Sequence, residues 1–222
     1  ETSNLNGAPV FIYSGMRDES VVPAYSLAQQ IYYNNFGANV EYVSQDTGHE
    51  IPAIFSPNEG MNKSGLKYDL AGNLLKHLTT NLATGAIPVD QWAEGNPNWR
   101  EMGVLRQFYQ DEFLDTSIFQ VNGLAKYGYI YYPNNCIGGN CRVHMHLHGC
   151  GLTAGSYFYG GFEKITQGGW MEYAAANDII VVMPQAEWNM FSNPIECFDY
   201  TNYVNPWDET AYITQQSSQL NA

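Results

Sequence analysis

Two short apolar runs with a helix between them limit the folds open to this chain more than any other feature. Val10-Phe11-Ile12-Tyr13 reads as a buried strand that stops at Ser14-Gly15 and opens a loop containing Asp18. A helix is predicted next: Pro23 suits a first turn, Leu27, Ala28, Ile31 and Tyr32 share one face, and Gly37 is placed to end it. Val40 to Val43 is a second strand, running into a loop with Gly48 and His49. Strand, acid loop, helix, strand and histidine loop predict a parallel pair with a crossover helix. Both loops then emerge at the carboxyl edge of neighbouring strands, where α/β sheets build their sites.

The rest of the chain continues the alternation. Asp69 to Leu78 is predicted as a helix capped by Asp69, with Leu70, Leu74, Leu75 and Leu78 on one face. His77 near its end suits the helix dipole and is read as structural. Asn81 to Leu124 is less regular, with a turn region at Gly95-Asn96-Pro97-Asn98-Trp99 and a strand or hairpin arm over Val104 to Phe113. Tyr127 to Tyr132 and Arg142 to Leu147 are strands expected to pair as a hairpin. Trp170 to Ala176 is helical, Ile179 to Met183 is an apolar strand stopped by Pro184, and Thr214 to Ala222 reads as a polar end.

Composition narrows the class. The 222 residues and a hydrophobic fraction of 45% suffice for a single domain over residues 1–222 with a substantial core. A formal charge of −13, from 9 Lys and Arg against 22 Asp and Glu without a basic cluster, argues against nucleic acid and anionic membranes as partners. No apolar run approaches the roughly 18 to 20 residues of a membrane span. Glu1 to Asn6 is polar and is no signal core, so the chain is expected to be soluble, with any targeting segment removed or outside it.

Four cysteines allow two readings. Cys136 and Cys141 bracket the turn-like Ile137-Gly138-Gly139-Asn140, which suits a short disulfide loop. Zinc is the rival, disfavoured because CxxC spacing is missing and the nearby histidines lie in a strand pattern. His144, His146 and His148 alternate along that strand and face one side. With no acid beside them on the strand, they are read as buried, hydrogen-bonded histidines, and no metal is expected. Asn62-Lys63-Ser64 is a glycosylation sequon at Asn62, in keeping with a secreted, extracellular origin.

His148-Gly149-Cys150-Gly151 follows a strand and is similar to the HGGG-type loop from which α/β-hydrolases donate a backbone N–H to an oxyanion. With Asp18 and His49 it supplies three of the four parts of an acyl-transfer site, each at a strand end. In the usual order the oxyanion loop comes first and the acid and histidine last. Here acid and histidine come first, as a circular permutation would give.

Ser14-Gly15-Met16-Arg17-Asp18, Thr47-Gly48-His49, Val143 to Cys150, Met183-Pro184-Gln185-Ala186 and Asn193-Pro194-Ile195-Glu196-Cys197 resemble successive blocks of the extracellular poly(3-hydroxybutyrate) depolymerases, over nearly the whole chain. The resemblance implies a circularly permuted α/β-hydrolase with a mostly parallel sheet. It implies Asp18 and His49 as catalytic acid and histidine, Cys150 as oxyanion donor, and a Cys150–Cys197 disulfide that leaves Cys136 for Cys141. The chain departs from that pattern twice. No G-x-S-x-G occurs; Gly151-Leu152-Thr153-Ala154-Gly155 has threonine at its centre and is read as a coincidental turn. Phe198-Asp199-Tyr200 stands where relatives usually have tryptophans beside the cysteine.

The expectation is therefore a serine-type carboxylic ester hydrolase acting on esters or polyesters without a cofactor, with Trp188 lining the substrate groove. Its nucleophile elbow is expected outside these residues, upstream of the acid block or on a separate chain. The rival reading is an inactive family member serving as an extracellular structural or binding protein, motivated by the missing serine.

Overall fold

The structure, a computed structural model, describes residues 2–54, 64–80, 98–113, 123–156, 162–204 and 219. The sequon at Asn62, the turn at Gly95 to Pro97 and nearly all of the polar end from Thr214 lie outside the described residues. In chain order the main elements are β1 (Pro9–Gly15), α1 (Pro23–Asn35), β2 (Asn39–Gln45), α2 (Leu70–Thr80), α3 (Trp99–Met102) and β3 (Gly103–Tyr109). They continue with β4 (Tyr127–Pro133), β5 (Arg142–Met145), α4 (Phe162–Thr166), α5 (Trp170–Ala176) and β6 (Ile179–Met183). No helix among the described residues is long and apolar enough to cross a membrane.

The chain forms two compact units: Glu1–Pro97 with Gln167–Asn177, and Asn98–Thr166 with Asp178–Ala222. In the first, β1 and β2 pair in parallel from Pro9↔Asn39 to Gly15↔Gln45, joined by α1 as the crossover. Pro23 opens α1, and Gly37, at φ +74°, turns the chain out of it. The face that α1 turns inward differs from the apolar one read in the sequence. Ser26 is buried and Pro23, Gln30 and Tyr33 are half-buried, whereas Leu27, Ala28, Ile31 and Tyr32 are exposed. Periodicity identifies a stripe but not which stripe meets the sheet, and the crossover geometry decided that here.

Asp69 caps α2, its Oδ1 accepting from the Gly72 amide at 2.9 Å. Leu70, Ala71 and Leu75 of α2 are buried with Met171, Tyr173 and Ala174 of α5 in the core of this unit. The Tyr173 hydroxyl donates to Asp69 Oδ2, tying α5 to that cap. His77 joins α2 to β2, with Nδ1 3.0 Å from Glu41 Oε2 and Nε2 3.0 Å from the Asn39 carbonyl.

The second unit holds a four-stranded sheet in the order β3-β4-β6-β5. The expected hairpin of Tyr127–Tyr132 with Arg142–Leu147 does not form, because β6 lies between those strands. Tyr131 pairs with Val181 in an antiparallel ladder, and Val181 pairs with His144 in a parallel one. The most apolar strand of the chain takes an interior place where both its edges are hydrogen-bonded, and the cysteine loop is long enough to skip one strand position. The described sheets are mixed rather than mostly parallel: β1–β2 and β5–β6 are parallel, β3–β4 and β4–β6 antiparallel. Tyr131, Val181 and Met183 are fully buried on one face of the four-stranded sheet.

Candidate active site

The first unit brings Asp18 and His49 together. β1 and β2 end level with one another, and the loops beyond them are laced by backbone bonds from Met16 N to Gln45 O (2.7 Å) and from Arg17 N to Thr47 O (2.8 Å). Gly15 permits that approach. A Cβ on it would land on the Gly48 carbonyl oxygen and 2.6 Å from the Thr47 carbonyl oxygen. Thr47 is fully buried and its hydroxyl shares a 2.8 Å hydrogen bond with Tyr13. Glu50 pins the next turn by accepting from the amides of Gly48 (3.2 Å) and Ser64 (2.8 Å).

Asp18 Oδ2 lies 2.9 Å from His49 Nδ1, while its Oδ1 accepts from the amides of Ser20 and Val21, both at 2.8 Å. Burial pushes the Asp18 carboxyl up, but the Val21 amide, the His49 ring and the Ser20 amide together outweigh it and hold the group below its ordinary value. An ionised carboxylate on Nδ1 fixes the tautomer that carries its proton there. No hydrogen bond among the described residues engages His49 Nε2, and the ring is 59% exposed, so Nε2 is open to a proton donor.

In the second unit the His148–Gly151 loop is held from three sides. Gly151, at φ +70°, donates to the Ile195 carbonyl at 2.6 Å, and Cys150 is bonded to Cys197. His148 donates from Nδ1 to the Gly149 carbonyl (2.7 Å) and accepts from the Ala186 amide at Nε2 (3.0 Å), so its ring is neutral. Burial lowers its pKa, against smaller opposing effects of the Gly149 carbonyl and Glu196. The Cys150 amide makes no hydrogen bond among the described residues, which leaves a donor at an exposed turn. The other disulfide joins Cys136 to Cys141.

Two buried amides that sequence reasoning passed over organise this loop. Asn193 donates to the carbonyls of Glu187 (2.8 Å) and Cys197 (2.9 Å) and accepts from the Cys197 amide (2.8 Å). Gln185 accepts from the Ala154 amide at 2.8 Å and is itself held by Gln110. Both sit in the blocks quoted above, beside Pro184 and Pro194, but nothing in their spacing marks them as buried hubs. Thr153, at the centre of the G-x-T-x-G string, is buried and donates to Glu196 Oε2 at 2.8 Å. Trp188 is half exposed and lines a cavity of about 260 Å³ with Tyr127, Tyr129, Thr153 and Glu196.

Burial pushes the His146 pKa down to about 4, with His144 and His148 adding to it, and burial also lowers that of His144. Among the described residues no three His, Cys, Asp or Glu side chains are grouped to hold a metal ion.

The geometry agrees with kinship. A "Polyhydroxybutyrate depolymerase" of Talaromyces funiculosus is 29% identical over 226 residues, covering 90% of this chain and 60% of the relative. A "Poly(3-hydroxybutyrate) depolymerase" of Delftia acidovorans is 27% identical over 238 residues, covering 99% of this chain and 42% of the relative. The chain is a relative of the poly(3-hydroxybutyrate) depolymerases. The crystal structure of such a depolymerase from Penicillium funiculosum superposes with a TM-score of 0.71 at 26% identity, covering all (100%) of this chain and 70% of that one. A serine-to-alanine variant of a PHB depolymerase complexed with an R3HB trimer gives 0.69 at 26%, covering 100% of this chain and 73% of that one. No family model matches. This depolymerase relative spans about half the length of the curated relatives it matches.

Proposed function

We propose that the chain is the acid–histidine and oxyanion part of a secreted serine-type carboxylic ester hydrolase, on a circularly permuted α/β-hydrolase frame, whose nucleophilic serine lies outside the 222 residues. The observation that carries this reading is the 2.9 Å contact of Asp18 with His49 Nδ1, with no hydrogen bond to Nε2 among the described residues. His49 Nε2 takes the proton of the serine hydroxyl as the serine oxygen attacks the ester carbonyl, and Asp18 stabilises the imidazolium. The Cys150 amide hydrogen-bonds the oxyanion. Collapse expels the alcohol, which leaves with the proton from His49, and water then releases the acid by the same steps. The kinship supports a hydroxyalkanoate polyester or a related short ester as substrate, with Trp188 on the acyl side. Two disulfides support an oxidising, extracellular setting.

The absence of G-x-S-x-G from the sequence favours a second reading, an inactive relative that binds without cleaving. A fluorophosphonate probe separates the two. Applied to the chain extended by the segment encoded before Glu1, it labels a serine in that segment if the hydrolase reading holds. Labelling dependent on His49 supports it further, and an extended chain that takes up no probe and cleaves no ester favours the binding protein.

A further inference from the structure

One peptide group of the second unit is gripped on its oxygen and open on its nitrogen. The Gly149 carbonyl accepts twice, from His148 Nδ1 at 2.7 Å and from the Leu152 amide at 3.2 Å, whereas the Cys150 N–H of the same peptide makes no hydrogen bond among the described residues. Every peptide bond among the described residues is trans, so that N–H points opposite to the gripped carbonyl. Holding the oxygen therefore aims the N–H. The ring has no choice in how it holds. A backbone amide can only donate, so the Ala186 N–H, 3.0 Å from Nε2, requires that nitrogen bare and puts the ring proton on Nδ1. Ala186 is buried just beyond β6, and Phe198 lies against the imidazole with ring centroids 4.7 Å apart. Burial of His148 favours the same neutral ring.

We propose that His148 is a positioning residue for ester hydrolysis: its Nδ1–H, by fixing the Gly149–Cys150 peptide, aims the Cys150 amide at the oxyanion. The proposal rests on the hydrolase reading and extends it from the donor to the side chain that orients the donor. Glycines at 149 and 151 leave this turn wide backbone freedom, so its rigidity has to come from outside the backbone. The Cys150–Cys197 disulfide and the Gly151 bond to the Ile195 carbonyl anchor the turn, but neither bonds to the Gly149–Cys150 peptide. His148 does. An oxyanion donor stabilises the transition state only if it is in place before the charge develops, because a peptide that must rotate then loses interaction energy to its own reorganisation. The hydrogen bonds also run in one direction, from the Ala186 N–H through the ring to the Gly149 carbonyl. A peptide whose oxygen accepts is polarised, and its N–H donates more strongly.

Two substitutions separate the two ring nitrogens, because an asparagine amide reaches the place of Nδ1 and a glutamine amide that of Nε2. In the chain extended by its preceding coding segment, His148→Asn keeps a donor for the Gly149 carbonyl and His148→Gln keeps an acceptor for the Ala186 amide. The expected result with a short-chain aryl ester is a kcat at least about tenfold lower for His148→Gln than for His148→Asn, with KM values within about twofold of one another. Equal losses in the two variants, the reverse order, or a loss carried by KM alone overturn the proposal. Long-range proton–nitrogen NMR spectra of the unsubstituted extended chain test the lock without a variant. A proton on Nδ1 and a bare Nε2 are expected, and the opposite tautomer overturns the proposal even where a variant fails to fold. An extended chain that cleaves no ester with His148 in place removes the hydrolase reading, and the tautomer then decides whether His148 holds the peptide.

Discussion

The single most consequential side chain near the acid–histidine pair is one that is absent, the Cβ of Gly15. Two carbonyl oxygens occupy the space it would need, so Gly15→Ala must push the Thr47–Gly48 turn away from β1. The expected cost is about 1 to 3 kcal/mol of stability, as for other overpacked sites. Loss of the His49 Nδ1–H···Asp18 signal by NMR accompanies it, and an alanine variant with both stability and that signal intact refutes the close-approach argument. Asp18 supplies a second prediction. Its carboxyl is depressed below the ordinary value of 3.8, so ionised Asp18 adds stability above that pH, and the contribution fades as pH falls through the folded-state value. Asp18→Asn should flatten this part of the acid limb in denaturant titrations. An unaltered limb would mean that the amides of Ser20 and Val21 and the His49 ring do not favour the charged form. Asp18 and His49 were legible in the sequence because each follows a short apolar strand. Gly15 and the hubs Gln185 and Asn193 were not, because close approach and amide burial leave no periodic trace.

At the scale of elements, β5 and the residues just past it alternate half-buried histidines, His144 and His146, with the exposed apolar Val143, Met145 and Leu147. His146 must stay neutral in the folded chain, with a pKa of about 4 against 6.5 when unfolded. Below pH 6.5 the unfolded chain binds the extra proton first, so stability is full above that value, falls as pH drops, and stops falling near pH 4. The displacement corresponds to a loss of roughly 3 kcal/mol. Urea midpoints measured from pH 7 to pH 4 should decline across this window, and a flat profile would show that His146 is solvated. The Cys150–Cys197 bridge belongs to the same scale. It closes a separation of 47 residues, and replacing both cysteines by serine should cost about 2 to 4 kcal/mol by thermal or urea unfolding. A smaller loss would credit Asn193 with holding the loop unaided. Element identities were largely readable, since β1, β2, β6, α2 and α5 announce themselves by apolar period and by Pro or Asp boundaries. The β4–β5 pairing was misread because strand order follows competition for interior positions, which short-range pattern does not record.

For the molecule as a whole, the proposed chemistry needs a part that the 222 residues do not spell. By itself the chain should hydrolyse a short-chain aryl ester no faster than its own His49→Ala variant and should take up no fluorophosphonate, because base and oxyanion donor form no acyl-enzyme without a nucleophile. Robust labelling mapped to Thr153 or to any serine within the chain would show that the active site has been misplaced.

The sequence by itself determined the alternation of strands and helices, the places of Asp18, His49 and the His148–Gly151 loop at strand ends, and kinship through blocks spread along the chain. These are local or linear properties, set by side-chain period, turn chemistry and order. Only the tertiary structure decided that Asp18 meets His49 at 2.9 Å, that β6 separates β4 from β5, and that α1 and β5 turn apolar residues outward. Each of those outcomes depends on which surfaces win burial against the others, a competition among elements far apart in sequence.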